Sequence, residues 1–120
     1  MMKKTLVIGA SENTERYSYL AVQLLRKHAH TVVAIGRKAG KVNDVAIVTT
    51  MPDENEVDTV TLYVNPVAQK EYYDYILSLQ PKRIIFNPGT ENEELAALAT
   101  ANGIEAVEAC TLVLLNTGQY

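Results

Sequence analysis

Short apolar runs alternate along the chain with segments whose apolar residues return every three or four positions. The runs predict buried strands, because strands that pack on both faces are continuous in apolar and β-branched residues. They lie at residues 6–8, 32–35, 46–48, 60–64 and 84–86, with a further run at 104–107. Strands of this kind are typical of a sheet that is covered on both sides.

Helical spacing fills several of the intervals between these runs. The predicted helices carry their apolar faces at positions 17, 21, 24 and 28, at 68, 72, 75, 76 and 79, and at 95, 98 and 99. Thr90 and Glu93 have the spacing of a capping box, which predicts the start of the third helix, and Gly103 predicts its end. The apolar tail Thr111–Leu115 fits a last strand, a short helix or a contact surface for a second copy.

Strands that alternate with helices predict the α/β class: a three-layer, mostly parallel sheet with helices on both faces. The length of 120 residues is that of one domain, which we expect to span residues 1–120. Neither an internal repeat nor a linker interrupts this pattern.

Composition and charge exclude several classes of protein. The 11 Lys and Arg residues against 14 Asp and Glu residues give a net charge of -3 and a pI near 5.3, which argues against a nucleic-acid partner. The single cysteine excludes an intramolecular disulfide framework, and no Cys/His cluster suggests a metal site. The first apolar run stops at Gly9, too early for an export signal, and no run approaches a membrane span. We therefore expect a cytoplasmic protein with no membrane partner.

Ligands of an open parallel sheet bind outside the carboxyl ends of its strands, so the segments that leave those ends carry the candidate chemistry. Gly9 lies between a predicted strand and a predicted helix, where backbone N–H groups can face an anion such as a pyrophosphate. Ser11 and Thr14 stand where an NAD fingerprint has its further glycines. Gly9 therefore indicates either a phosphate loop or an ordinary strand-to-helix turn.

The end of the second strand is more informative. An enzyme that prefers NAD places an acidic residue there to accept the ribose hydroxyls, whereas this chain has Gly36-Arg37-Lys38. Two cations suit a phosphate on the adenosine ribose, as in NADP or coenzyme A, and the alternative is a solvated basic turn. We expect the turns that begin at Gly9 and Gly36 to converge on a common cleft.

Several segments together carry a resemblance over nearly the whole chain; they are residues 7–11, 15–19, 36–38, 62–66 and 89–94. With them the chain resembles the small stand-alone CoA-binding proteins, whose Rossmann-like domain is similar to the CoA-binding domain in the α subunit of succinyl-CoA synthetase. The resemblance implies coenzyme A or an acyl-CoA as ligand. It implies that Gly9, Ala10 and Ser11 lie against the pyrophosphate, with Arg16 and Ser18 nearby.

The resemblance also places the rest of the expected site. Lys38, beside Arg37, would approach the ribose phosphate, and Val64 and Pro66 would line the adenine side. Gly89, in the segment after the run at 84–86, is a further expected cofactor-binding residue. Two pairs depart from the family pattern: residues 36–37 replace Asn-Pro, and residues 87–88 replace a Leu-Gln pair. The second change removes a backbone donor from the expected pantetheine path, because residue 88 is a proline.

No catalytic residue is predicted. His28 and His30 bracket the turn into the second strand, at the amino edge and away from the expected cleft. Cys110 is expected as a buried small side chain, with a thiol beside the CoA thiol as the alternative. The leading hypothesis is a CoA-binding module without catalysis. The others are an NADP-dependent reductase, for which no Tyr-x-x-x-Lys pair is visible, and a dimer with a vestigial pocket and the C-terminal apolar segment as its interface.

Overall fold

A computed structural model describes residues 2–120 as a seven-stranded sheet between two layers of helices. The strands are β1 (Thr5–Ile8), β2 (Val32–Ile35), β3 (Gly40–Val42), β4 (Val45–Val48), β5 (Thr59–Leu62), β6 (Arg83–Phe86) and β7 (Glu105–Glu108). The helices are α1 (Tyr17–Lys27), α2 (Pro66–Gln69), α3 (Tyr73–Leu79), α4 (Glu93–Ala101) and α5 (Thr111–Asn116), with a 3-10 turn at Lys70–Tyr72. Within residues 2–120, no helix has both the length and the apolar character to cross a membrane.

The strand order is β3-β4-β2-β1-β5-β6-β7, and every pair is parallel except β3 with β4. From β1 the chain builds the sheet outward through β2 and β4, then returns to pair β5 with the other side of β1. The reversal of chain order therefore falls beside β1, where ligands bind in open α/β sheets. The predicted α/β class with a mostly parallel sheet is confirmed.

Both faces of the sheet are buried, which explains the continuous apolar runs. On one face, β1 contributes Leu6 to a core that includes Ile76 of α3 and Leu95 of α4. On the other face, Val7 joins a core with Leu25 of α1 and side chains of α5. Successive residues of a strand point to opposite faces, so the central strands β1 and β5 are buried at every position, including Thr5, Thr59 and Thr61.

The predicted elements differ from the structure at several boundaries. The run at 60–64 leaves the sheet after Leu62, so that Tyr63 and Val64 form the start of a loop. The second helical segment is divided by the 3-10 turn at Lys70–Tyr72 into two short helices. The apolar pattern does not predict the short strand β3, because this edge strand contains a glycine and a lysine.

The capping box predicted at Thr90 is wrong. The N-cap of α4 is Asn92, whose side-chain oxygen accepts hydrogen bonds from the backbone N–H groups of Glu94 and Leu95. The hydroxyl of Thr90 instead donates to the carbonyl oxygen of Asn87, 2.8 Å away. The Thr90 hydroxyl therefore closes the loop before the helix and does not cap the helix itself.

The apolar tail is the short helix α5. Thr111 and Leu115 are buried against the sheet, whereas Val113 is 54% exposed. Most of the tail's expected contact surface is thus used inside the molecule, and self-association through it stays a prediction.

Candidate functional site

A cleft of about 960 Å³ opens at the carboxyl ends of β1, β2, β5 and β6. It is lined by residues 9–13, 15–18, 37–38, 63–65, 68 and 88–90. All the predicted site residues line it except Pro66, which occupies the first position of α2. Ala68, two residues later in the same helix, lines the cleft instead. The loops that leave four neighbouring parallel strands therefore meet at one place.

The turns that begin at Gly9 and Gly36 are in direct contact. The backbone N–H groups of Gly9 and Ala10 both donate to the carbonyl oxygen of Ile35, at 2.9 Å each. A methyl group added at Gly36 would lie 2.4 Å from the carbonyl oxygen of Ala10, closer than real Cβ atoms come to such an atom. The expected convergence of the two turns is confirmed in the structure, and it requires a residue without a side chain at position 36.

Gly9 is required by both its conformation and its surroundings. Its φ of +97° is one that residues with side chains rarely adopt. A Cβ atom there would lie 2.9 Å from the backbone of Tyr63 and 2.9 Å from Val64 Cγ1. The first turn is thereby held against the loop that leaves β5.

The loop before α1 supplies no side-chain cap to this helix within residues 2–120. Ser11 Oγ accepts from the N–H of Asn13, and Asn13 Oδ1 accepts from the N–H of Glu15, so these side chains fold the loop rather than cap the helix. The N-cap position is held by Arg16, which makes no side-chain cap hydrogen bond. The positive end of the α1 dipole therefore borders the cleft without a capping side chain. Ser18, in the first turn, is buried.

Cations and carboxylates share the cleft. Arg16, Arg37 and Lys38 are exposed, and within residues 2–120 none of them forms an ion pair. Glu12 and Glu15 also line the cleft, so the lining charges are three positive and two negative. The three cations without ion pairs leave this site with positive charge to offer an anionic ligand.

Glu12 is a cleft residue that the sequence analysis missed. Its Oε2 accepts a hydrogen bond of 2.9 Å from the N–H of Lys41, and its carboxylate lies where a Cβ of Gly40 would be. This contact ties the β1–α1 loop to the edge strand β3. The signal available in the sequence was its place in the loop after the first strand, which does not reveal the direction of its side chain.

The loop after β6 offers few free hydrogen-bond donors. Pro88 has no N–H group, and the N–H of Gly89 donates to Glu91 Oε1 at 2.9 Å. The N–H and the hydroxyl of Thr90 both donate to the carbonyl oxygen of Asn87. The N–H groups of Gly89 and Thr90 are therefore both used within this loop.

Tyr63 lines the cleft from the loop after β5, but its hydroxyl is directed into the protein. Among residues 2–120 the buried hydroxyl has no hydrogen-bond partner. Burial raises the pKa of Tyr63 well above its usual range. The phenol of Tyr63 therefore stays protonated, with its hydroxyl on the side of the ring away from the cleft.

The remaining candidates lie away from the cleft. His28 is the exposed C-cap of α1, and His30 lies just before β2 at the amino edge. Cys110 is the N-cap of α5 and is half-buried, so the expectation of full burial is wrong; it does not line the cleft. Among residues 2–120, no three His, Cys, Asp or Glu side chains are grouped to hold a metal ion.

His30 is a buried titratable side chain at the amino edge of the sheet. Its Nδ1 accepts a hydrogen bond of 2.8 Å from the N–H of Lys3, and its ring packs against Tyr120 with the ring centroids 4.9 Å apart. Burial, and then the neighbouring cations His28, Lys3 and Arg83, lower the pKa of His30 below its usual value. The unfolded chain therefore binds this proton first, with a pKa of about 6.5.

We expect the native state to lose stability as the pH falls below about 6.5, toward the lower pKa of folded His30, and to keep it above that pH. In thermal unfolding at pH 7 and pH 5, His30→Gln should reduce the pH-dependent fall in Tm by a few degrees. His28→Gln at the exposed helix end removes one neighbouring charge but keeps His30, and should reduce the fall in Tm much less. Equal pH slopes for wild type and His30→Gln would contradict the prediction.

Comparisons with known proteins agree with this geometry. The CoA binding domain family matches residues 3–116. A crystal structure of an uncharacterized protein is 53% identical, with a TM-score of 0.97 over 100% of this chain and 99% of that one. A hypothetical protein from Pyrococcus horikoshii OT3 is 23% identical, with a TM-score of 0.87 over 97% and 83% of the two chains. A protein from Thermus thermophilus is 18% identical, with a TM-score of 0.87 over 99% and 91%. No curated protein matches the sequence.

The two distant structures bear on the fold alone, whereas the family match bears on the sequence. It spans nearly the whole chain and includes every loop that lines the cleft, from Gly9 to Thr90. The chain belongs to the CoA binding domain family.

Proposed function

We propose that the protein binds coenzyme A or an acyl-CoA in this cleft and performs no catalysis of its own. The observation that carries the proposal is the contact between the turns at Gly9 and Gly36. It brings the uncapped start of α1 to the same site as Arg37 and Lys38, which make no ion pair within residues 2–120. Coenzyme A carries a pyrophosphate and a ribose phosphate, and so it has one anionic group for the start of α1 and another for the two cations.

The pyrophosphate would bind at the β1–α1 loop. There the backbone of Gly9, Ala10 and Ser11 leads into the start of α1, where the N–H groups of Tyr17 and Ser18 have no partner within residues 2–120, and a helix start of this kind favours an anion. Arg16 and Ser18 would complete this part of the site from the helix itself.

The ribose phosphate would bind at the turn after β2. Arg37 and Lys38 are exposed, line the cleft and make no competing ion pair within residues 2–120. Val64 would contact the adenine side and Gly89 would lie along the rest of the ligand. We propose Ala68 for the wall where Pro66 was expected, since Ala68 lines the cleft.

The reductase hypothesis is less well supported. NADP also carries a ribose phosphate, so Arg37 and Lys38 do not exclude it. A reductase needs a proton donor beside its substrate, and the hydroxyl of Tyr63, the tyrosine after β5 that lines this cleft, is buried in the protein. No lysine stands four residues after Tyr63, where the chain has Val67.

Titration calorimetry and thermal unfolding with four ligands test the proposal. We expect CoA to bind more tightly than dephospho-CoA, which lacks the ribose phosphate, and more tightly than NADP and NAD, which have a second nucleoside in place of the pantetheine arm. At a ligand concentration of about 100 Kd, the native state gains about 2.7 kcal/mol, which raises Tm by several degrees. Stronger binding of NADP than of CoA would support the reductase, and no binding of any nucleotide would support a vestigial pocket.

A double charge reversal tests the ribose phosphate site. Arg37→Glu with Lys38→Glu should weaken CoA by about tenfold or more, since a charge-assisted hydrogen bond contributes about 1.5–3 kcal/mol. Dephospho-CoA, which lacks that phosphate, should change much less. Lys27→Glu with Lys82→Glu makes the same change of net charge at exposed positions that do not line the cleft. Equal losses for the two ligands would remove the basic turn from the site.

A further inference from the structure

We propose that Gln69 is a positioning residue that clasps two walls of the cleft together and thereby sets the affinity for the whole CoA molecule. The inference rests on the proposed function. It concerns a side chain that does not itself line the cleft.

The amide of Gln69 is completely buried, with 0% exposure. Its Nε2 donates to the carbonyl oxygen of Val64 at 2.9 Å and to that of Thr90 at 2.7 Å. Its Oε1 accepts a hydrogen bond of 2.9 Å from Nδ2 of Asn92. Both amide protons and the acceptor oxygen are therefore engaged, which fixes the orientation of the side chain.

The two carbonyl groups belong to different walls. Val64 leaves β5 and Thr90 leaves β6, and both residues line the cleft. The strands themselves pair as far as Leu62 with Phe86, and beyond that pair the loops run into separate helices. Gln69 thus joins the loops in the region where backbone pairing has ended.

Asn92 extends the clasp toward α4. Its Nδ2 also donates to the hydroxyl of Tyr73, at 2.8 Å, and that hydroxyl in turn donates to Glu94 Oε1 at 3.0 Å. Because Asn92 is also the N-cap of α4, the start of this helix and the end of α2 are linked through one hydrogen-bonded network. Such a network resists a relative shift of the two walls more than separate bonds would.

Burying an amide side chain costs free energy unless its N–H and C=O groups are hydrogen-bonded. An apolar side chain of similar volume would fill the space but would leave the carbonyl groups of Val64 and Thr90 without this donor. The amide satisfies both carbonyl groups and, by doing so with one side chain, fixes the distance between them. We infer that this distance matters for a ligand that contacts both walls.

The length of the cleft decides which ligand that is. From the cations after β2 to the loop after β6 there are three strand intervals, about 14 Å in all. A ligand held by its phosphates at β2 and β1 reaches Thr90 only through a long arm, which CoA has and adenosine 3′,5′-bisphosphate lacks. Loss of the clasp should therefore weaken CoA and leave the bisphosphate nearly unchanged.

The experiment measures both ligands by calorimetry on the wild type and on Gln69→Met, which preserves the shape of the side chain without its hydrogen bonds. We expect the Kd for CoA to rise about tenfold, the effect of roughly 1.4 kcal/mol, and the Kd for the bisphosphate to change less than twofold. An unchanged ratio of the two Kd values in Gln69→Met would overturn the inference. If the wild type binds neither ligand, the proposed function itself fails.

Two further variants separate positioning from stability. Thr5→Val removes a buried hydroxyl at the amino edge, where Thr5 contacts Tyr120, and should lower Tm without changing the ratio of the two Kd values. Asn92→Ser keeps a good N-cap but removes the amide that holds Gln69, and should weaken CoA about threefold, less than loss of the clasp itself. If Gln69→Met does not fold, Asn92→Ser becomes the test. An unchanged ratio of the two Kd values in Asn92→Ser would then overturn the inference.

Discussion

Gly36→Ala should lower the free energy of unfolding by about 3 kcal/mol, and Tm by about 10 °C, because the added methyl group would overlap with the backbone of the neighbouring turn. The new Cβ would lie 2.4 Å from the carbonyl oxygen of Ala10 and 2.8 Å from Ile47 Cγ2. A flexible side chain could give way, but Ala10 O cannot move alone, since the N–H groups of Gly9 and Ala10 are bonded to Ile35. The two turns must separate or the sheet must bend.

The same substitution should abolish CoA binding at ligand concentrations that saturate the wild type, because it separates the proposed pyrophosphate and ribose phosphate sites. The control is Gly118→Ala, where no atom lies within 4 Å of the new Cβ and only the positive φ of +70° opposes the change. Its cost should be about 1 kcal/mol. Denaturant unfolding and calorimetry measure both effects. A smaller loss of stability in Gly36→Ala than in Gly118→Ala would show that the contact between the turns is not rigid.

The sheet could be predicted because burial on both faces leaves a simple signature. Leu6, Val7 and Ile8 have no exposed surface, and no polar residue interrupts them. The place of the site followed from topology, since residues after β1 and β2 must meet at the carboxyl edge when those strands are parallel neighbours. Neither prediction required knowledge of any side-chain direction.

Side-chain direction is what the sequence could not supply. Thr90 and Asn92 are both good N-cap residues, and only the path of the chain after Pro88 decides that Asn92 holds the position. In the same way, nothing local reveals that Ala68 lines the cleft in place of Pro66, or that Gln69 turns its amide inward. These facts depend on contacts between segments that are distant in sequence.

Asn87 is the second position where we expect a large effect. It is 2% exposed and lies directly after β6. Its Nδ2 donates to Thr61 Oγ1 at 2.6 Å and to the carbonyl oxygen of Leu62 at 2.8 Å, while its Oδ1 accepts from the N–H of Thr111 at 2.9 Å. One side chain thus joins β5, β6 and the start of α5.

Asn87→Leu should lower the free energy of unfolding by about 3 kcal/mol, because it removes a partner from two buried backbone groups at about 1–3 kcal/mol each. Thr61→Val should cost less, since Thr61 and Thr111 share one hydroxyl–hydroxyl contact of 2.8 Å and the backbone groups stay paired. The double variant should lose less than the sum of the single losses, because Asn87 and Thr61 are bonded to each other.

Hydrogen exchange distinguishes a local effect from a general one. If Asn87 anchors α5, the amides of this helix should exchange faster in Asn87→Leu by a larger factor than those of α1, which packs on the same face of the sheet. Thr111 lies at the point of attachment, and its own amide should show the greatest change. Equal acceleration in both helices would mean that the variant lowers global stability alone, and additive losses in the double variant would show that the two side chains act independently.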